Sequence, residues 1–105
     1  MSDGWVPAAR FRVLNAEAGA VQQRAALAHV IGGDAPGFTD GERSYLKFQF
    51  RMSGGFWTQM WEAMHRADPE NLARLSLAFP EEVAALRAWR VGDLAQRFER
   101  AGVMM

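Results

Sequence analysis

The chain has 105 residues, half of them apolar and 23% charged, with 12 basic side chains balancing 12 acidic ones and no cysteine. That size supports one core and leaves little room for an enclosed cofactor chamber, since a chain this short buries only about two thirds of the surface its unfolded form exposes. Neutrality removes any global field for nucleic acid, and the missing cysteine excludes disulfides, thiolate nucleophiles and sulfur-ligated zinc.

The first residues, Met1 to Trp5, lack the basic and apolar regions of a signal peptide. No apolar run approaches the roughly 20 residues a bilayer span requires. A cytoplasmic protein without membrane contact is the expectation.

In chain order, residues 8–31 are rich in alanine, leucine, glutamine and arginine, all good helix formers. Their apolar positions, among them Phe11, Leu14, Val21, Leu27 and Ile31, recur at mixed three- and four-residue spacing. Gly19 is a candidate interruption, and Gly32-Gly33 is the stop. Asp34 to Phe38 reads as a turn-rich loop. Thr39 with Glu42 three residues on has the form of a capping box, opening a helix that runs to about Met52.

Ser53-Gly54-Gly55 breaks that helix, with Ser53 as the expected cap of the next. The stripe of Phe56, Trp57, Met60, Trp61 and Met64 then covers a broad helical arc. Asp68-Pro69 has the cap-then-proline pattern of a helix start, Pro80-Glu81-Glu82 opens another helix, and Gly92-Asp93 a last short one. The expected fold is all-α: a compact bundle of five or six helices of about 8 to 16 residues. It forms one domain over residues 1–105, with an N-terminal helical segment (1–33) and a C-terminal cluster (39–102).

Catalytic chemistry finds little footing. Glu62 and His65 have the Glu-x-x-His spacing of carboxylate-bridged metal sites, but those sites need two such motifs and this chain has one. No nucleophile motif surrounds a serine or threonine, and Ser53-Gly54-Gly55 lacks the Lys-Ser/Thr that completes a phosphate loop. No catalytic residue, metal or cofactor is assigned.

Two features suggest binding instead. Arg43, Lys47 and Arg51 recur every four residues on one helix, a basic row able to meet an acidic protein patch or track phosphates. The aromatic content is also high, at four Trp and seven Phe. Phe48, Phe50, Phe56, Trp57 and Trp61 are crowded into one stretch. Surplus aromatic side chains at a surface make partner-binding anchors. Phe50, Trp57 and Trp61 are the candidate anchors, with Arg43, Lys47 and Arg51 as a charged rim.

The segment Met52 to Trp89 resembles short helical proteins of phages and prophages. Ser53-Gly54-Gly55-Phe56-Trp57, Ala67-Asp68-Pro69-Glu70-Asn71-Leu72 and Phe79-Pro80-Glu81-Glu82-Val83 carry the likeness. The resemblance implies a mobile-element origin and supplies no catalytic residue. The expected function is therefore a non-enzymatic protein-binding protein, an inhibitor of a host defence system such as a CRISPR effector or a restriction enzyme. A small nucleic-acid-associated regulator, dimeric and binding through the basic helix face, is the alternative. Homodimerisation through the aromatic helix is a third expectation.

Overall fold

A computed structural model describes the backbone from residue 8 and side chains from residue 19 to residue 105. Six helices follow one another: α1 (Ala8–Ile31), α2 (Asp40–Gln49), α3 (Gly55–Arg66), α4 (Pro69–Ala78), α5 (Pro80–Arg90) and α6 (Asp93–Arg100). Among the described residues there is no strand, and the expected all-α class and helix number hold.

The helix starts follow from local chemistry. The Thr39 hydroxyl accepts the Glu42 N–H, and the Glu42 carboxylate accepts the Thr39 N–H, each at 3.0 Å, closing the capping box of α2. Asp68 caps α4 by accepting the Asn71 N–H at 2.7 Å, with Pro69 in the first turn.

Three boundaries differ from the sequence reading. Gly19 does not interrupt α1, which runs for 24 residues; one helical glycine costs about 1 kcal/mol, which good helix formers on both sides offset. α2 ends at Gln49, short of Met52, because the chain reverses through Arg51 in the left-handed region (φ 57°). The cap residue of α3 is Gly54 and not Ser53, and it makes no side-chain cap bond.

α2 lies at the centre and packs on α1, α3 and most extensively on α5. The crossing with α5 is very close. A Cβ added to Gly41 would stand 2.6 Å from the Glu81 carbonyl carbon and oxygen and 2.8 Å from the Glu82 nitrogen. At the same crossing the Gly41 N–H donates to the Glu81 carboxylate at 3.3 Å.

The core comprises Val30 of α1, Tyr45 and Leu46 of α2, Trp61 and Met64 of α3, Leu72 of α4, Val83 and Leu86 of α5, and Leu94 and Phe98 of α6. Val103 beyond α6 is also fully buried. The Gln23 side-chain amide holds this tail against α1 by pairing with the Met104 backbone at 3.0 and 2.7 Å.

Glu42 is the one buried charged residue among those described. Its carboxylate pairs with Arg97 of α6, whose guanidinium also donates to Asp93 at 3.0 Å and stands 5.8 Å over the Phe38 ring. Phe38 in turn stacks on Phe98 at 5.1 Å. Burial by itself raises the Glu42 pKa, but the hydrogen bonds from Arg97 and the Thr39 backbone outweigh it and hold the carboxyl below its ordinary range.

Two predictions follow from these contacts. Gly41→Ala gains about 1 kcal/mol of helix propensity, yet forces two backbones apart and loses about 1–3 kcal/mol to overpacking. The net expectation is lower stability in urea unfolding, and a variant as stable as wild type would show that α2 can shift off α5 without loss. For Glu42, the depressed folded pKa means that its stabilisation is present above the unfolded value of about 4.5 and lost as pH falls through the folded value. Glu42→Gln is therefore expected to cost about 1–2 kcal/mol at pH 7, with the gap to wild type narrowing toward pH 3. A gap independent of pH would refute the charge pairing.

Candidate functional site

The residues singled out from sequence fall into three groups. Trp61 is fully buried, packed edge-on to Tyr45 at 4.9 Å, and its indole N–H donates to the Ser44 hydroxyl at 3.3 Å. It is a core residue and not a surface anchor, because α5 and α2 close over that side of α3. Arg43 is likewise turned inward. Its guanidinium donates to the Phe38 carbonyl at 2.6 Å and pairs with Asp40, which ties the loop before α2 to the helix.

The other four gather at the α2–α3 turn. Phe50 and Trp57 are half-buried against the core, while Lys47 and Arg51 are exposed. The basic residues therefore do not form one row. Lys47 lines a 340 Å³ groove with Ser44, Met52, Gly54, Trp57 and Glu82. Arg51 lines a separate 540 Å³ groove with Phe48, Gln49, Thr58 and Glu62. The two grooves share no lining residue.

The turn itself is a tight reversal. The Met52 N–H reaches back to the Lys47 carbonyl at 2.8 Å and the Arg51 N–H to the Phe48 carbonyl at 3.1 Å. This is the Schellman arrangement, which normally places glycine at the left-handed position. Here arginine occupies it. Non-glycine residues in such conformations concentrate at binding and catalytic sites.

Two apolar side chains that the sequence reading left off the anchor set stand out here. Phe56 is 64% exposed and Met52 55%. Phe56 packs edge-on to Trp57 at 5.5 Å, and Trp57 is braced from below by Phe79 at 5.8 Å. The sequence signal for Phe56 is its register. It falls about 100° around α3 from Trp57, outside the arc shared by Trp57, Met60, Trp61 and Met64.

The polar groups nearby form a strut and not a reactive centre. The Gln49 amide donates to the Tyr45 hydroxyl at 2.7 Å, leaving that hydroxyl to donate to His65 Nε2 at 2.9 Å. Burial pushes the Tyr45 pKa up to about 12, and burial together with the Arg90 charge lowers that of His65. Neutral His65 accepting at Nε2 fits both shifts. Tyr45 is fully buried, so its hydroxyl is closed to a substrate. Glu62, three residues before His65, pairs instead with Arg66 at 3.5 Å. Among the described residues no three histidine or carboxylate side chains gather as a metal site would require. No helix among them is long and apolar enough to cross a membrane.

No protein-family model, curated protein or solved structure matches this chain.

The left-handed Arg51 generates a test. Glycine relieves a cost of about 1 kcal/mol at this position while adding freedom to the unfolded chain. Arg51→Gly is expected to raise the unfolding free energy by about 0.5–1 kcal/mol. Loss of stability would mean that the Arg51 side chain secures the turn through its groove.

Proposed function

We propose that this chain is a non-enzymatic binding protein that docks another protein on the α2–α3 turn. The observation that carries the reading is the exposure of Phe56 and Met52 beside half-buried Trp57, on a turn held rigid by its backbone bonds. A braced aromatic offers a large apolar contact at small entropic cost, and the unbranched methionine beside it can adapt its shape to a partner. Lys47 and Arg51 flank it, with Asp40 and Glu82 in the groove of Lys47 and Glu62 in that of Arg51, so the complementary surface is an apolar pocket with a rim of mixed charge.

The likeness of residues 52–89 to short phage proteins supplies the biological form of the proposal: an inhibitor of a host defence component, such as a CRISPR effector or a restriction enzyme, acting by occupying its surface. Nucleic acid is the weaker fit. With Arg43 bonded to Phe38 and Asp40, and Lys47 and Arg51 in different grooves, no continuous cationic track runs along α2.

The test is calorimetric titration of the chain against purified defence effectors, with nuclease activity followed in parallel. Phe56→Ala and Met52→Ser should weaken binding by more than about tenfold and relieve inhibition, whereas Arg74→Ala on α4 should change neither. Phe56→Ala binding as tightly as wild type would remove the turn from the interface. Inhibition of none of the effectors would remove the defence reading.

A further inference from the structure

The strut of Gln49, Tyr45 and His65 has a fixed donor order. Tyr45 of α2 is fully buried, while Gln49, one turn along the same helix, and His65 of α3 are half-buried. A phenol hydroxyl has one proton. With the Gln49 N–H donated to its oxygen at 2.7 Å, that proton goes to His65 Nε2 at 2.9 Å. The order therefore needs a neutral imidazole with its own proton on Nδ1. A second proton, at Nε2, would set two donors against each other and leave the buried hydroxyl proton without an acceptor, which is costly.

A second arrangement satisfies all three groups. When the Gln49 amide turns half a revolution about its last side-chain bond, its oxygen takes the place of its nitrogen. Tyr45 then donates to Gln49 Oε1 and accepts from the Nε2–H of charged His65. Both hydrogen bonds are kept with their directions reversed, and any mixed state leaves one group unmatched.

We propose that this strut is a two-state acid switch: protonation of His65 reverses it, and the reversal reaches the surface through Gln49. Gln49 lines the 540 Å³ groove with Phe48, Arg51, Thr58 and Glu62. With its nitrogen bound to Tyr45, the amide leaves its oxygen for the groove. After reversal it offers its N–H groups there instead, so one point of the wall changes from acceptor to donor. The switch holds whether or not the α2–α3 turn docks a protein.

The surroundings decide the pH at which it acts. Tyr45 and Phe48 of α2 pack on the His65 ring at 5.7 and 5.8 Å. From α5, Arg90 donates to the His65 carbonyl at 3.1 Å and opposes a positive charge on the ring. On α3 itself, Glu62 and Arg66 pair with each other at 3.5 Å. Burial and then Arg90 hold the His65 pKa below its ordinary value of 6.5, so the neutral strut contributes its full stability above that pH and loses it as the pH falls through the folded value.

Nuclear magnetic resonance of the full chain, with labelled histidine and glutamine side chains, tests this between about pH 8 and about pH 4.5. Neutral His65 should carry its proton on Nδ1, and the Gln49 amide signals should shift with the same midpoint as the imidazole. Gln49→Glu supplies only acceptors and favours the reversed order, so it should raise that midpoint by about one pH unit, a tenfold easier protonation. Gln49→Leu removes the acceptor that the reversed order needs, and should lower the midpoint by about half a pH unit or more. Both variants change a half-buried position and should keep their helices by circular dichroism. Neutral His65 protonated at Nε2, Gln49 signals that ignore the imidazole, or a Gln49→Leu midpoint at or above wild type would each overturn the switch. Phe56→Ala and Met52→Ser should leave the titration unchanged, so the docking surface stands or falls separately.

Discussion

The contact between Gly41 and the Glu81–Glu82 backbone sets the arrangement of the other helices. With no side chain between them, α2 and α5 approach at backbone distance, and the large residues on either side of the crossing then interlock. Tyr45, one turn along α2, reaches Trp89 of α5 at 5.2 Å and Trp61 of α3 at 4.9 Å. The same closeness brings the α2 N-terminus under α6, which is why Glu42 is buried and why a cation from α6 is needed to neutralise it. A bulkier residue at position 41 would loosen the aromatic centre and the Glu42–Arg97 pair together, since both depend on one helix spacing.

What could be read from sequence was what depends on three or four neighbouring residues. Thr39 and Glu42 form their reciprocal cap, and Asp68-Pro69 starts α4, because both motifs are complete within one helical turn. What could not be read depends on which other helix arrives. Trp57 and Trp61 lie on one stripe, yet Trp61 is completely covered, with Tyr45, Phe48 and Trp57 all packed against it, while Trp57 stays half open. Arg43 looked like the first member of a basic row because helical spacing aligns it with Lys47. The Phe38 carbonyl and Asp40 instead claim its guanidinium, and only the path of the loop makes that carbonyl available. The left-handed conformation of Arg51 was equally hidden, since the usual marker of such a turn is the glycine that is missing there.

That missing glycine bears on function. Elsewhere the chain places glycine where the backbone turns left-handed, as at Gly33 after α1 and Gly92 before α6. Only at the α2–α3 turn, among the described residues, does a side chain occupy such a position. It is the turn where Met52 and Phe56 stand exposed. A folding requirement alone would favour glycine there. Retaining a long cationic side chain at a cost of about 1 kcal/mol makes physical sense where that side chain contacts something outside the fold.

The footing of the α2–α3 turn shapes how it would behave in contact with a partner. The turn is tied to the core through Trp57, Phe79 and Trp61, so its apolar residues are presented on a rigid support and need little ordering on contact. α1 lacks that support: its described inner side is held by a short apolar cluster and by the Gln23 clamp on the Met104 backbone, so it rests on the body along one side alone.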